Sequence, residues 1–309
     1  MRKAVEIGCL AVLMTGVAHA LEPAPAQQES ATGIKHAVLA TGAETFILNS
    51  EGKTVWTYPH STRDGWMLPS GNLLLDVSNS PEYPHGAIVE VDRAGKTRFE
   101  FKGTQSEVDC VQPLPGGHIL LTESGAKPRL LEIDRKGRIV VEFPLKCQLD
   151  NPHMQTRMAR KLPNGHYLVP QLLDNVVREY NAKGEVVWEA QTKDWPFTAI
   201  RLPNGNTLIN CTRGNYSIEV DKQSKEVWRV SNDDLPGAPI HDACGAARLP
   251  NGNTVIESYG AGDSNAIKLF EITPDKKIVW TLKTFRPHGI HEFQLLAADL
   301  KPLQGKQMR

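Results

Sequence analysis

The sequence predicts an all-β fold, a single six-bladed β-propeller of four-stranded blades with the ring closed by mixed N- and C-terminal strands. Two repeated phrases with one common spacing carry this prediction. In the first phrase, Leu-Pro is followed by a pair such as Asn-Gly, so proline presets one φ angle and the next residues tolerate a positive φ. This tight-turn phrase occurs five times, starting at Leu68, Leu114, Leu162, Leu202 and Leu249.

The second phrase ends in an aromatic residue four positions after a turn residue. It occurs at Trp56, Phe99, Trp188, Trp228 and Trp280, and a sixth copy has Val141 at that position. Both phrases recur about every 45 residues, since 181 residues separate Pro69 from Pro250 in four steps. Each repeat therefore has two hairpin turns and four short β-rich runs, which is typical of a propeller blade. We expect the tryptophans to pack between adjacent blades; a carbohydrate-stacking stripe is the alternative.

Six such repeats account for residues 34–300. The first repeat has only three strands, whereas one unassigned strand, 291–296, remains near the end of the chain. We expect this strand to be the innermost strand of the first blade, which removes exposed sheet edges. Residues 301–309 are then a C-terminal tail. Two stacked β-domains are the alternative, which the even spacing of the repeats disfavours.

The N-terminal residues 1–20 have the pattern of an export signal. Arg2 and Lys3 precede an apolar stretch, and Ala18-His19-Ala20 matches the small-x-small cleavage pattern. Cleavage after Ala20 would leave a Pro/Gln-rich linker, residues 21–33, with nothing to bury. This pattern predicts a periplasmic or secreted protein without a transmembrane segment after cleavage. A frayed N-terminal helix and lipidation at Cys9 are the alternatives.

Charge and cysteine content narrow the function classes. The chain has 35 Lys+Arg and 35 Asp+Glu, so its formal net charge is zero and no basic face for nucleic acid is indicated. Four cysteines follow the predicted cleavage site. In an oxidising compartment the local pairing among the three available is Cys110–Cys147 with Cys211–Cys244, which we state as a hypothesis.

The phrase Leu-Pro-Asn-Gly-Asn followed by Thr207-Leu208-Ile209, with Gly-x-x-x-Trp later, resembles the PQQ-like (quinoprotein-type) propeller repeats. It is also similar to the repeats of bacterial arylsulfotransferases. PQQ dehydrogenases have eight blades, and many carry adjacent cysteines against the cofactor. This sequence has no Cys-Cys pair, so PQQ itself is not expected as a cofactor. Arylsulfotransferases carry an extra N-terminal domain, for which residues 21–35 leave no room. The resemblance therefore implies architecture, and neither activity transfers by repeat likeness.

Polar residues cluster at one predicted face. We call the face where the innermost strands begin the top face, and the Leu-Pro turns then lie on the bottom face. Imidazoles and carboxylates there can bind a divalent metal or supply an acid–base pair, and arginines suit anionic oxygens. The candidate ligand-binding residues are His60, His153, Arg157, Arg213, His241, Asp242, His288, His291 and Glu292. The candidate metal ligands among them are His153, His241, His288 and His291.

These observations lead to three hypotheses. The first is an exported propeller that binds a small polar or anionic ligand, or a protein partner, at the top-face mouth of its central channel. The second is a metal-assisted hydrolase or lyase acting on an anionic carbohydrate or ester. The third, implied by the arylsulfotransferase resemblance, is sulfuryl transfer through a histidine nucleophile. The sequence leaves the catalytic residues, and the choice between enzyme and binding protein, open.

Overall fold

A computed structural model describes residues 24–263, 265–303 and 307–309, so the predicted signal peptide lies outside the described residues. The described part consists of β-strands and short 3₁₀ turns, without an α-helix. No helix in it has the length and apolar character needed to cross a membrane.

The strands, in chain order, fall into the predicted repeats. A short strand β1 (Gln27–Glu29) comes first, and three strands of blade 1 follow: β2 (Ala37–Gly42), β3 (Thr45–Leu48) and β4 (Thr54–Tyr58). Blade 2 contains β5 (Thr62–Met67), β6 (Leu73–Val77), β7 (Ala87–Val91) and β8 (Thr97–Lys102). Blade 3 contains β9 (Glu107–Pro113), β10 (Ile119–Ser124), β11 (Arg129–Ile133) and β12 (Ile139–Pro144).

The second half of the chain repeats this order. Blade 4 contains β13 (Arg160–Lys161), β14 (Tyr167–Gln171), β15 (Val176–Tyr180) and β16 (Val186–Gln191). Blade 5 contains β17 (Pro196–Arg201), β18 (Thr207–Cys211), β19 (Tyr216–Val220) and β20 (Glu226–Ser231). Blade 6 contains β21 (Ala243–Arg248), β22 (Thr254–Ser258), β23 (Leu269–Ile272) and β24 (Ile278–Lys283), and β25 (Ile290–Leu296) follows. The 3₁₀ turns are Pro115–Gly117, Pro152–Met154 and Asn232–Asp234.

The ring closes as predicted. Strand β25 pairs antiparallel with β2, with Val38 opposite Leu295, and the first sheet has the order β25-β2-β3-β4. The last strand of the chain is therefore the innermost strand of blade 1. The prediction of a single six-bladed propeller, with four repeat strands in each blade, is confirmed.

The structure differs from the sequence-based prediction at both chain ends. Within the predicted linker 21–33, β1 pairs with β24 and makes blade 6 five-stranded. Its Gln28 accepts a hydrogen bond from Trp280 Nε1 at 2.8 Å, so this polar segment contributes to packing. Within the predicted tail 301–309, Arg309 is buried and its guanidinium reaches Asp64 on β5. The hydrophobic pattern could not indicate either contact because both depend on polar side chains.

Apolar side chains fill the spaces between neighbouring blades. The second strands β6, β10, β14, β18 and β22 are buried along their whole length. The predicted tryptophan packing is also seen: Trp188 Nε1 of blade 4 donates to the Lys222 carbonyl of blade 5 at 3.0 Å. Trp228 Nε1 of blade 5 donates in the same way to the Pro274 carbonyl of blade 6 at 3.2 Å. These contacts show that the repeated aromatic phrase joins successive blades.

A ladder of ion pairs and hydrogen bonds runs around the bottom of the ring. The third strand of blades 2 to 6 carries a glutamate that contacts a basic side chain of the next blade. We call these contacts the inter-blade ladder. Its rungs are Glu90–Arg135, Glu132–Lys161, Glu179–Arg201, Glu219–Arg248 and Glu271–His36. In four of these blades the same glutamate also accepts a hydrogen bond from the fifth residue of the Leu-Pro phrase, as Asn206 does with Glu219 at 2.7 Å.

Candidate functional site

Charged side chains lie in two layers around the axis of the ring. The upper cluster, near the top face, consists of Arg63, Glu107, Asp109, His153, Arg157 and His291. The lower cluster, towards the bottom face, consists of Asp64, Arg160, Glu292 and Arg309. Neighbouring residues belong to different layers on two inner strands. On β5 Arg63 is in the upper cluster and Asp64 in the lower, and on β25 the same holds for His291 and Glu292.

In the upper cluster, two arginines surround two carboxylates. Arg63 forms an ion pair with Glu107 and donates to the Val108 carbonyl at 2.7 Å. Arg157 Nη1 lies 3.2 Å from Asp109 Oδ1. Asp109 also accepts hydrogen bonds from Ser124 and Thr156. The Nε of Arg157 is buried and has no hydrogen-bond partner.

His153 lies over both arginines. Its Nδ1 is 3.1 Å from the Glu107 carboxylate, its Nε2 is 3.2 Å from Arg157 Nη2, and Nδ1 is 3.5 Å from Arg63 Nη2. Because a carboxylate can only accept and a guanidinium can only donate, Nδ1 carries the proton and Nε2 the lone pair. The His153 side chain is 57% exposed, so it separates the buried arginines from solvent at the top face.

The environment sets distinct protonation states for the two carboxylates. Burial would raise the pKa of Glu107, but the hydrogen bond with His153 and the charges of Arg63 and Arg157 lower it to about 2. Burial raises the pKa of Asp109 to about 6, although the Arg157 charge opposes that shift. Glu107 therefore stays ionised at neutral pH, whereas Asp109 gains a proton in mildly acidic solution.

His291 stays neutral beside the two arginines. Burial and the charges of Arg157 and Arg63 lower its pKa to about 3. Its Nδ1 lies 3.3 Å from the Arg63 carbonyl, which can only accept, so Nε2 carries the lone pair. The ring packs edge-on against Phe197 at 4.8 Å and Tyr259 at 5.1 Å between centroids. His291 therefore joins the charged side of the mouth to an aromatic side.

The lower cluster is closed and its charged groups contact one another. Asp64 accepts a hydrogen bond from Arg160 at 2.9 Å and one from Arg309 at 2.7 Å. Glu292 lies 4.0 Å from Arg160 and 3.9 Å from Arg309. Burial raises the pKa of Glu292 to about 7, against the opposing charge of Arg309. Gly245 provides space for this carboxylate, because a Cβ there would lie 2.8 Å from Glu292 Oε1.

The structure brings only some of the sequence-predicted residues together. His153, Arg157 and His291 meet in the upper cluster, whereas Glu292 lies deeper, in the lower cluster. His60 packs between Tyr58 and Tyr83, on the outer part of blades 1 and 2. The remaining predicted residues lie on rim loops. The guanidinium of Arg213 stacks 4.0 Å from the centre of the Trp195 ring, and His241 and His288 are exposed. Among the described residues, Asp242 has no contact with the upper cluster.

The predicted metal site is not assembled. Within residues 24–263, 265–303 and 307–309, no group of three or more His, Cys, Asp or Glu side chains has the arrangement to hold a metal ion. Of the four proposed ligands, His241 and His288 are exposed on separate loops, while His153 and His291 each contact arginines. The nearest basic and acidic groups therefore satisfy one another instead of presenting a ligand set.

The four cysteines among the described residues are free thiols, in contrast to the predicted bridges Cys110–Cys147 and Cys211–Cys244. The two thiols of the first predicted bridge contact other groups instead. Cys110 Sγ lies 3.4 Å from Thr122 Oγ1, and Cys147 Sγ accepts a hydrogen bond from Gln171 at 2.8 Å. Burial raises the pKa of Cys110, Cys147 and Cys211 to about 12, so these thiols are poor nucleophiles at neutral pH.

Sequence reasoning missed Arg63, Glu107, Arg160 and Arg309 as channel residues. A signal for the first two is visible in retrospect, since each is a charged residue at the start of a strand that is otherwise buried. Arg160 lies immediately before Lys161, a residue of the inter-blade ladder, so the sequence alone does not show which of these two basic residues faces the axis. Arg309 has no local signal because its partner Asp64 is 245 residues away in the sequence.

Comparisons with known proteins give a fold and not an activity. No protein-family model matches the chain, and no curated protein matches its sequence. A solved structure of a protein of unknown function from Bacteroides caccae matches with a TM-score of 0.74 and 22% identity, covering 84% of this chain and 98% of that one. A streptogramin B lyase structure matches with a TM-score of 0.55 and 15% identity, covering 91% and 89%.

A third structure is a catalytically inactive histidine-to-alanine variant of virginiamycin B lyase from Staphylococcus aureus with quinupristin. It has a TM-score of 0.54 and 14% identity, with coverage of 91% and 89%. At these identities the similarity defines the β-propeller class alone. PQQ-like or arylsulfotransferase similarity is not among these matches and stays a sequence-level resemblance.

Proposed function

We propose that the protein binds a small anionic ligand at the upper cluster, entering from the top face. The observation that carries this proposal is Arg157, which is buried beside Arg63 and has a free Nε–H donor beneath an exposed histidine. A buried N–H without a partner costs free energy, and a ligand oxygen that accepts from it recovers that cost.

The surroundings favour an anion with a polar neighbour group. Arg63 and Arg157 are both within 3.5 Å of His153, so an anionic group that displaces this imidazole meets two guanidinium groups. The lone pair on His291 Nε2 can accept a hydrogen bond from a hydroxyl or N–H group of the same ligand. A hydroxy acid such as malate combines both groups and is a suitable probe.

Access also favours the top face. At the bottom, Arg309 extends into the axis and donates to the Gly65 carbonyl at 2.7 Å, and Met308 pairs with the backbone of Arg248. The upper cluster instead ends at the 57% exposed His153. A ligand therefore reaches the arginines by moving one side chain at the top, whereas the bottom route requires displacement of a buried arginine.

The test is isothermal titration of the full chain with malate. We expect one binding site for malate. In Arg157→Lys we expect the affinity to fall about tenfold or more relative to the unmodified chain, because a lysine lacks the Nε–H and the planar fork of donors. Arg213→Lys, on the same face but stacked on Trp195, is the matched control and should bind normally. Equal affinity in Arg157→Lys and the unmodified chain, with both folded, would contradict the proposal.

The enzymatic alternatives depend on His153. Its Nδ1–H contact with Glu107 is the arrangement of an acid–base histidine, and a lyase is among the structural neighbours. His291, with a pKa of about 3, is too weak a base for that role at neutral pH. A lyase, a hydrolase or a sulfuryl transferase would lose turnover in His153→Ala, while a binding protein would keep its affinity within about threefold. Malate titration of His153→Ala, and assays with an ester and an aryl sulfate, separate these outcomes.

Export is part of the same proposal, because a periplasmic or secreted protein meets its ligand outside the cytoplasm. The expected mature N-terminus is Leu21. Mass spectrometry of the extracytoplasmic fraction measures it directly, and retention of residues 1–20 would refute cleavage.

A further inference from the structure

The mouth of the top face has two unlike halves. The arginines and carboxylates of the upper cluster come from blade 2, blade 3 and the segment that enters blade 4. Beside them, apolar side chains of blades 4, 5 and 6 pack together at the same end of the ring. We call this group the apolar half of the mouth. It consists of Met158, Leu172, Phe197 and Cys244, all buried, with Met154 and Trp195 packed against them.

Arg157 and His291 lie where the two halves meet. The guanidinium carbon of Arg157 is 5.8 Å from the centre of the Phe197 ring. The His291 ring packs edge-on against Phe197 at 4.8 Å and against Tyr259 at 5.1 Å between centroids. An anionic group on Arg157, with a hydroxyl on the lone pair of His291, therefore has its next substituent beside aromatic rings.

One aromatic ring on this side of the mouth is open to solvent. Tyr259 follows β22 and is 44% exposed. Trp195, the half-buried aromatic residue of the apolar half, is instead covered by Arg213, whose guanidinium lies 4.0 Å from the ring centre. Phe197 is buried. Tyr259 is therefore the ring that a ligand at the mouth can reach without displacing a protein side chain.

The backbone holds Tyr259 in place although its ring is exposed. Its N–H donates to the Asp242 carbonyl at 3.3 Å, and the N–H of Gly260 donates to the His241 carbonyl at 2.9 Å. The Tyr259 carbonyl packs closely against Gly289, where a Cβ would lie 1.7 Å from the carbonyl oxygen. An aromatic ring on a fixed backbone loses little conformational entropy when a ligand packs against it.

The position of Tyr259 distinguishes it from other exposed apolar side chains. A single exposed apolar residue is ordinary on a protein surface. Among the described residues, the other large ones lie on the outermost strands of the blades, except Leu149, which is 56% exposed on a top-face loop. Leu149 is not part of the apolar half, whereas Tyr259 contacts a side chain of the upper cluster directly.

We propose that the ligand of the upper cluster is an aromatic hydroxy acid, whose ring packs against Tyr259. This inference rests on the proposed function and names its ligand class. Aromatic pairs in edge-on or offset contact are stabilised beyond the area that they bury. Phenyllactate is the probe, since it combines a carboxylate for Arg157, a hydroxyl for His291 and a phenyl ring.

The test is isothermal titration of the full chain with three acids that share one head group. Lactate has a methyl group in place of the benzyl group of phenyllactate, and cyclohexyllactate has a saturated ring of similar size. We expect phenyllactate to bind about tenfold or more tightly than lactate, because the ring leaves water. We expect it to bind about threefold more tightly than cyclohexyllactate, because the saturated ring lacks the aromatic contact.

Two variants assign the preference to Tyr259. Tyr259→Ala should weaken phenyllactate binding about fivefold or more and leave lactate within about twofold, whereas Tyr259→Phe should retain both affinities. Leu149→Ala is the matched control on the same face and should leave all three affinities unchanged. Circular dichroism melts confirm that each variant is folded.

The outcomes separate this inference from the proposed function. Equal affinities for phenyllactate and lactate, both weakened by Arg157→Lys, would overturn the inference and leave the proposed function standing. Equal affinities for phenyllactate and cyclohexyllactate would overturn the aromatic class, and an equal loss in Tyr259→Ala and Leu149→Ala would remove the role of Tyr259. If none of the three acids binds, the proposed function fails and this inference fails with it.

Discussion

The upper and lower clusters contain similar charged groups but differ in their exposure to solvent. Each contains two arginines and two carboxylates. In the lower cluster every ion-paired side chain is at most 4% exposed, whereas the upper cluster ends at the 57% exposed His153. The comparison shows that a group of buried charges does not by itself indicate a binding site. A binding site differs from a purely structural cluster because one face of the group can exchange a protein contact for a ligand contact.

The largest expected effect is a loss of folding stability when the lower cluster and its strand are removed. Deleting residues 288–309 removes Glu292, Arg309 and the innermost strand of blade 1, so β2 loses its partner along six paired positions. We expect loss of cooperative unfolding in a thermal melt followed by circular dichroism. Deleting only residues 301–309 keeps β25 and should give a cooperative melt at a lower temperature. The comparison fails if the longer deletion melts like the full chain.

A single substitution should separate stability from binding. Asp64→Asn leaves Arg160 and Arg309 without their shared buried charge, and removing one partner of a buried ion pair costs about 3–5 kcal/mol. Urea unfolding measures this loss, while malate affinity of the folded variant should stay unchanged. The control is Asp275→Asn, an exposed partner of Lys277, which should unfold like the unmodified chain. Weaker malate binding in Asp64→Asn would mean that the two clusters act as one site.

A smaller effect concerns pH and sharpens the account of the upper cluster. The pKa of Asp109 is about 6, so lowering the pH from 7.5 to 5.5 removes a negative charge beside Arg157 and Arg63. Glu107 remains ionised and His291 remains neutral throughout, as their pKa values are about 2 and 3. Anion affinity should therefore rise as the pH falls, by up to about tenfold per pH unit. A metal site built on histidines would show the opposite trend.

Malate titrations at three pH values check this expectation. The Asp109→Asn variant lacks this titrating carboxyl group and should show a flat pH dependence. A slope that persists in this variant would assign the titration to another group, such as Glu292, whose pKa is about 7.

The repeated turns made the architecture accessible from sequence, whereas the site depended on distant pairs. Leu-Pro-Asn-Gly fixes a turn within five residues, and the position of β18 at Thr207–Cys211 follows from one such phrase. The partners of Arg157 and Arg309 lie 48 and 245 residues away, and no local pattern connects them. The sequence predicts His241 and His288 at the mouth because they lie just before inner strands, but a loop position determines the face of the ring and not the direction of the side chain.

The inter-blade ladder joins five of the six blade interfaces, and the remaining one lies between blades 1 and 2. The third strand of blade 1 reads Thr45-Phe46-Ile47-Leu48, which has no glutamate to form a rung. That interface has no ladder rung. It combines apolar packing of Leu39 and Ile47 with Leu73 and Leu75, which weakens on cooling, with uncharged hydrogen bonds such as the 2.8 Å contact between the hydroxyls of Thr45 and Thr62. Ring opening should therefore begin at this seam, and its amides would exchange with solvent earliest in the cold. This seam is therefore the expected place of local opening, and it adjoins blade 1, in which the two chain ends meet.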